Sequence, residues 1–144
     1  MGNKRILIVD DDPDVRLGLC LRLKANHYDI FFATDAVDAI AEARKNEPDL
    51  VILDLGLPAG DGFLVMERLK TMPSLAAIPI IVVSARDRHP NRERALEAGA
   101  KAFLQKPVDD AELLAVIRHA LGERSEREEP ALYNLCNGNS GSLS

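Results

Sequence analysis

Tryptophan is absent, the four phenylalanines and two tyrosines make only 4% of the residues aromatic, and the only cysteines are Cys20 and Cys136. A disulfide scaffold needs a closely spaced, even set of cysteines, and a zinc centre needs paired Cys or His ligands a few residues apart. Neither pattern occurs, with His27, His89 and His119 as the only histidines. The cysteines read as ordinary thiols in a reducing compartment. Nor is any apolar run near the about 18 residues of a membrane span; the longest, residues 78–83, contains Pro79 and stops at Ser84. Lys4 and Arg5 precede an apolar stretch that ends in acids after Val9, too short for a signal peptide. Gly2 lacks the Ser or Thr at position 6 that myristoylation needs, since Ile6 stands there. Positive charge is not in excess either: 18 Lys and Arg face 23 Asp and Glu, a net charge of −5. Direct binding to nucleic acid or to an anionic membrane is therefore disfavoured, and a cytoplasmic protein is expected.

What is present is the composition of a soluble globular chain, 47% hydrophobic and 28% charged over 144 residues. That length allows one domain with a real core. The expected domain covers residues 1–122; residues 123–144 turn to Glu and Arg, then to Asn, Gly and Ser, and read as a tail or linker.

Five short β-branched runs, at 5–9, 29–33, 50–53, 80–83 and 102–104, predict strands. Between them Val15, Leu19 and Leu23, then Ala36, Ala39, Ile40 and Ala43, recur at helical spacing. Further helices are predicted at 62–71, 91–98 and 109–121, with Asp12-Pro13 opening the first helix and Gly99 and Gly122 closing others. Residues 58–62 predict a loop. Strict alternation implies an α/β fold: a (βα)5 doubly wound, five-stranded parallel sheet with right-handed crossovers and helices on both faces. Its strands should be apolar throughout, as the runs at 6–9, 51–53 and 80–83 are.

The strongly polar residues fall where predicted strands stop, the edge at which open α/β sheets bind ligands. Asp10, Asp11 and Asp12 follow the first strand, Asp54 the third, Ser84 the fourth and Lys106 the fifth. Taken singly, each has a plain structural role. The acidic triplet could cap the first helix, Asp54 could close a strand, Ser84 could cap a turn, and Lys106 could be a solvated lysine before Pro107. Asp12 is assigned only to the cap. Together they gather carboxylates, a hydroxyl and an ammonium at one edge. Clustered carboxylates repel unless a cation joins them, and hard oxygens suit Mg²⁺, so the set has the parts to hold a phosphoryl group and its metal.

The order and spacing of four segments resemble the receiver domain of bacterial two-component response regulators. They are Ile6-Leu7-Ile8-Val9-Asp10-Asp11-Asp12, Leu53-Asp54-Leu55-Gly56-Leu57-Pro58-Ala59-Gly60-Asp61-Gly62, Val83-Ser84-Ala85 and Phe103-Leu104-Gln105-Lys106-Pro107. The resemblance runs from Lys4 to about Gly122. It implies the flavodoxin-like strand order 2-1-3-4-5, Asp54 as phosphoacceptor, and Mg²⁺ held by Asp10, Asp11, Asp54 and the backbone carbonyl of Gly56. It further implies Ser84 and Lys106 as phosphoryl-binding groups and a cis bond before Pro107. The donor would be a phosphohistidine on a sensor histidine kinase or histidine phosphotransfer protein, and the chain would be a signalling module rather than an enzyme. Ser84 and Phe103 match the family's switch pair, although Phe103 reads equally well as a plain core aromatic. The output surface would be the face at 91–121, toward a downstream protein or output domain, with phosphorylation-dependent homodimerisation as a further partnership.

Three positions depart from common family patterns. Gly56 offers no side chain beside the site, Arg86 places a cation two residues after Ser84, and Lys101-Ala102 stands where winged-helix regulators carry an acidic pair used in dimers. Rival readings fare less well. A haloacid dehalogenase-type phosphatase would use Asp10 and Asp12, but Pro13-Asp14 stands where its pattern looks for a Thr or Val, and these 144 residues leave little spare length for its cap domain. A flavin carrier would need a Ser- and Gly-rich phosphate loop where three aspartates stand. A receiver-shaped interaction module without phosphotransfer would leave Asp54, Ser84 and Lys106 without a use.

Overall fold

The five apolar runs form β1 (Arg5–Val9), β2 (Asp29–Ala33), β3 (Leu50–Leu53), β4 (Ile80–Ser84) and β5 (Ala102–Gln105). They alternate with α1 (Pro13–Ala25), α2 (Ala36–Asn46), α3 (Gly62–Lys70), α4 (Arg88–Glu97) and α5 (Asp110–Ala120). The computed structural model describes residues 2–57, 62–85 and 88–123. Arg86, Cys136, residues 58–61 of the expected loop and the tail from 124 onward lie outside the described residues.

All strand pairs are parallel and the sheet order is β2-β1-β3-β4-β5, the arrangement expected from the sequence. Because side chains alternate across a strand, each apolar run serves two cores. Leu7, Val9, Val51, Leu53, Ile80, Val82 and Phe103 pack with Ala39, Val65 and Met66 beneath α2, α3 and α4. Ile6, Ile8, Ile52, Ile81, Val83 and Leu104 pack on the opposite face with Leu19 and Leu23 of α1 and Leu113 and Ile117 of α5.

Capping chemistry fixes the helix starts. Asp12, Asp35 and Asp109 each accept a backbone N–H from the first turn of the helix that follows. Gly99 and Gly122 take positive φ after α4 and α5, as expected of glycines that end helices. The main departure from expectation is α4, which begins at Arg88 rather than at 91. Pro90 sits at the third position of this helix, where its missing N–H would have had no partner anyway, so it does not bar the earlier start. The ladder also runs one residue past the apolar runs of β4 and β5, pairing Ser84 with Gln105, because backbone pairing does not depend on side-chain polarity.

Candidate functional site: an acidic pocket at the carboxyl edge

The register of β1 against β3 sets Val9 beside Leu53, so the residues that follow, Asp10 and Asp54, leave the sheet side by side. Backbone bonds hold both. Asp54 N–H donates to the Val9 carbonyl at 2.9 Å and Asp10 N–H to the Ala33 carbonyl at 3.1 Å. Across the sheet, Lys106 N–H donates to the Ser84 carbonyl at 2.8 Å, which ties the end of β4 to the residue after β5. The Lys106–Pro107 peptide bond is cis.

These anchors bring the predicted groups together. Oxygens of Asp10, Asp11 and Asp54 lie within 4.8 Å of one another. Asp10 and Asp54 are buried and Asp11 is exposed, so the cluster opens to solvent on one side. Lys106 Nζ reaches into it, 2.7 Å from Asp10 Oδ2 and 3.7 Å from Asp54 Oδ2. Gly56 N–H donates to Asp54 Oδ1 at 3.3 Å. Ser84 is fully buried at the end of β4. Phe103 pairs with Val82 on the neighbouring strand, two residues before Ser84, and is buried in the core beneath α2, α3 and α4.

Burial raises the pKa of Asp54 above the ordinary carboxylate value; the Lys106 ammonium opposes this, Asp10 and Asp11 add to it, and the Gly56 N–H lowers it. Such a carboxylate favours any cation that joins the cluster, and three hard oxygen donors around one point suit Mg²⁺. Asp12 is confined to the helix cap, where its Oδ1 accepts Asp14 N–H at 2.9 Å.

Two contributors to the pocket carried no catalytic signature in the sequence. Arg16 Nη1 donates to the carbonyl of Asp10 at 2.9 Å from the first turn of α1. Gly62, expected as the last loop residue and the first of a helix, starts α3 so close to the acidic strand end that a Cβ there would lie 2.6 Å from the Asp54 carbonyl oxygen. A lone arginine in a helix and a glycine after a loop are too common to mark either from sequence. Among the described residues no helix is long and apolar enough to cross a membrane.

Comparison with known proteins agrees with the geometry. The profile of the response regulator receiver domain matches residues 6–118. Response regulator PleD of Caulobacter vibrioides is 42% identical over 115 residues, which are 79% of this chain and 25% of PleD. The KDP operon transcriptional regulatory protein KdpE of Escherichia coli is 38% identical over 125 residues, 87% of this chain and 54% of KdpE. The chain thus spans between a quarter and about half of the length of these relatives. Among solved structures, the CheY-like receiver domain protein of Methanospirillum hungatei superposes with a TM-score of 0.77 at 30% identity, covering 89% of this chain and 98% of that one. The receiver domain of sensor histidine kinase PA1611 from Pseudomonas aeruginosa, solved with magnesium in its active-site cleft, gives a TM-score of 0.78 at 26% identity. It covers 85% of this chain and 100% of its own.

Proposed function

Because the chain belongs to the response regulator receiver domain family, we propose that it accepts a phosphoryl group on Asp54 from a phosphohistidine, carried by a sensor histidine kinase or a histidine phosphotransfer protein. The observation that supports this most directly is the shared lysine: Lys106 stands within reach of both Asp10 and Asp54, where an ammonium would meet a phosphoryl group seated on Asp54. The Asp54 carboxylate attacks phosphorus, forming a P–O bond as the P–N bond breaks. The departing imidazole takes the electron pair of that bond and then a proton. Lys106 turns from Asp10 toward one phosphoryl oxygen and the Ser84 hydroxyl donates to another. When bound between Asp10, Asp11, Asp54 and the Gly56 carbonyl, Mg²⁺ would supply neutralisation of the charge on the transferring group.

The acyl phosphate carries about 1.5 to 2 negative charges where the Asp54 carboxylate carried one, and three further oxygens, at the edge where buried Ser84 ends β4. Ser84 and Phe103 then act as the switch, and the face at 91–121 carries the change to an output protein or domain. On this reading residues 1–122 are a cytoplasmic signalling module that assists its own phosphorylation and dephosphorylation without being an enzyme for another substrate, and 123–144 are its tail or linker.

Peptide mapping by mass spectrometry after incubation with acetyl phosphate tests the reading. One labile phosphoryl group on Asp54, dependent on Mg²⁺ and missing in Asp54→Asn, is expected. Label at Asp10, or none at all together with no Mg²⁺ binding, would overturn it.

A further inference from the structure

Asp10 is held at four points. Its N–H donates to the Ala33 carbonyl at 3.1 Å, its carbonyl accepts from Arg16 Nη1 at 2.9 Å, its Oδ1 accepts from Asp12 N–H at 2.9 Å, and its Oδ2 accepts from Lys106 at 2.7 Å. The last two contacts occupy the carboxylate oxygens themselves, so they compete with anything that binds there. Phosphotransfer as proposed above also takes Lys106 away. The Arg16 contact is different, because it holds the carbonyl and leaves both carboxylate oxygens available.

That carbonyl lies just past the end of β1, where the chain leaves the parallel ladder for α1 and gives up strand partners. A partly buried guanidinium supplies the missing donor from across the turn, and hydrogen bonds from charged donors are the stronger kind. The turn carries Asp10 and Asp11 together. We infer that Arg16 is a positioning residue for the acidic pocket, pinning the turn between β1 and α1 so that the Asp10 and Asp11 carboxylates face Asp54. The inference rests on reading the pocket as a cation and phosphoryl site.

Two roles for an arginine here predict opposite signs. As a mere charge, Arg16 repels a divalent cation, and its removal would tighten Mg²⁺ binding. As a positioning group it acts like the outer partners of metal ligands, whose loss weakens binding about tenfold or more.

The test is a Mg²⁺ titration of the full chain, followed by amide chemical shifts, for the wild type, Arg16→Ala and Arg16→Lys, with thermal unfolding of each. Arg16→Ala is expected to bind Mg²⁺ about tenfold more weakly despite losing a positive charge, and Arg16→Lys to recover part of the affinity. Phosphorylation of Arg16→Ala by acetyl phosphate should recover at saturating Mg²⁺, as expected when a ligand set is displaced and the nucleophile is intact. If Arg16→Ala fails to fold, Arg16→Lys alone decides, since only loss of positioning weakens its binding while the charge is kept. Wild-type affinity or tighter binding in the variants, beside a wild type that binds Mg²⁺ and is phosphorylated, would overturn the inference and leave the proposed function standing. A wild type that does neither removes both.

Discussion

Lys106 is bound to Asp10 more closely than to Asp54, with Nζ 2.7 Å from one carboxylate and 3.7 Å from the other. Asp54 therefore keeps a second-best partner, and the ammonium stands within reach of both. One lysine thus bridges two carboxylates of the acidic cluster.

Removal of that ammonium should separate two properties that a general loss of structure would lower together. Lys106→Met frees Asp10 Oδ2, so Mg²⁺ binding tightens. Transfer from acetyl phosphate should fall on the order of 10²-fold, the usual cost of one lost donor to a developing anion. Mg²⁺ titration beside initial phosphorylation rates checks both, and a parallel fall of the two would contradict the assignment.

Asp54 leads to a prediction about pH. Burial is the largest cause of its raised pKa and Lys106 opposes it. A carboxyl whose folded pKa lies above its unfolded value favours the protonated native state, so ionised Asp54 destabilises the metal-free protein at neutral pH and the penalty fades as pH falls through the raised pKa. Asp54→Asn should accordingly raise the Tm at neutral pH without Mg²⁺, with the advantage shrinking toward acid pH. Thermal unfolding of both proteins across the acid-to-neutral range measures it. A lower Tm for the variant at neutral pH would mean that attraction to Lys106, not burial, dominates at this site.

Most of the fold was legible because two local signals agree: fully apolar strands and capped, periodic helices. The boundaries of β1, β2 and β3 were readable to the residue, since each apolar run ends at a charged residue or a turn. The start of α4 was not, because Pro90 has opposite meanings inside and before a first turn. In the site, the carboxylates, Ser84 and Lys106 were visible through their places at strand ends. The Arg16 contact and the close approach at Gly62 were not, since both involve a backbone carbonyl, and no residue type at that position announces either.

The close approach at Gly62 is open to direct test. A Cβ there would come 2.6 Å from the Asp54 carbonyl oxygen and 2.9 Å from Leu55 Cα, both backbone atoms that cannot turn aside. Gly62→Ala should cost about 1 to 3 kcal/mol of stability, as overpacking does, and slow phosphorylation by shifting the Asp54 backbone. Chemical denaturation and phosphorylation rates give the two readouts. An alanine variant of unchanged stability would show that α3 can slide outward without strain.

Tyr28 connects the other end of the sheet to the last described residue. Its hydroxyl donates to Glu123 Oε1 at 2.8 Å, and its pKa is raised from 10.0 to about 12, first by burial, then by the hydrogen bond to Glu123 and that residue's charge, with Arg118 opposing. A phenol that ionises less readily when folded contributes stability that is complete below the unfolded pKa of 10.0 and lost as pH rises toward about 12. Phenolate absorbance should therefore show one tyrosine titrating near 12, and that step should vanish in Tyr28→Phe. The same variant should lose about 1 kcal/mol at neutral pH, the net worth of one hydrogen bond. A Tyr28 step at the ordinary value would mean that Glu123 does not hold the hydroxyl in solution, and that α5 is not fastened to the start of β2 by this contact.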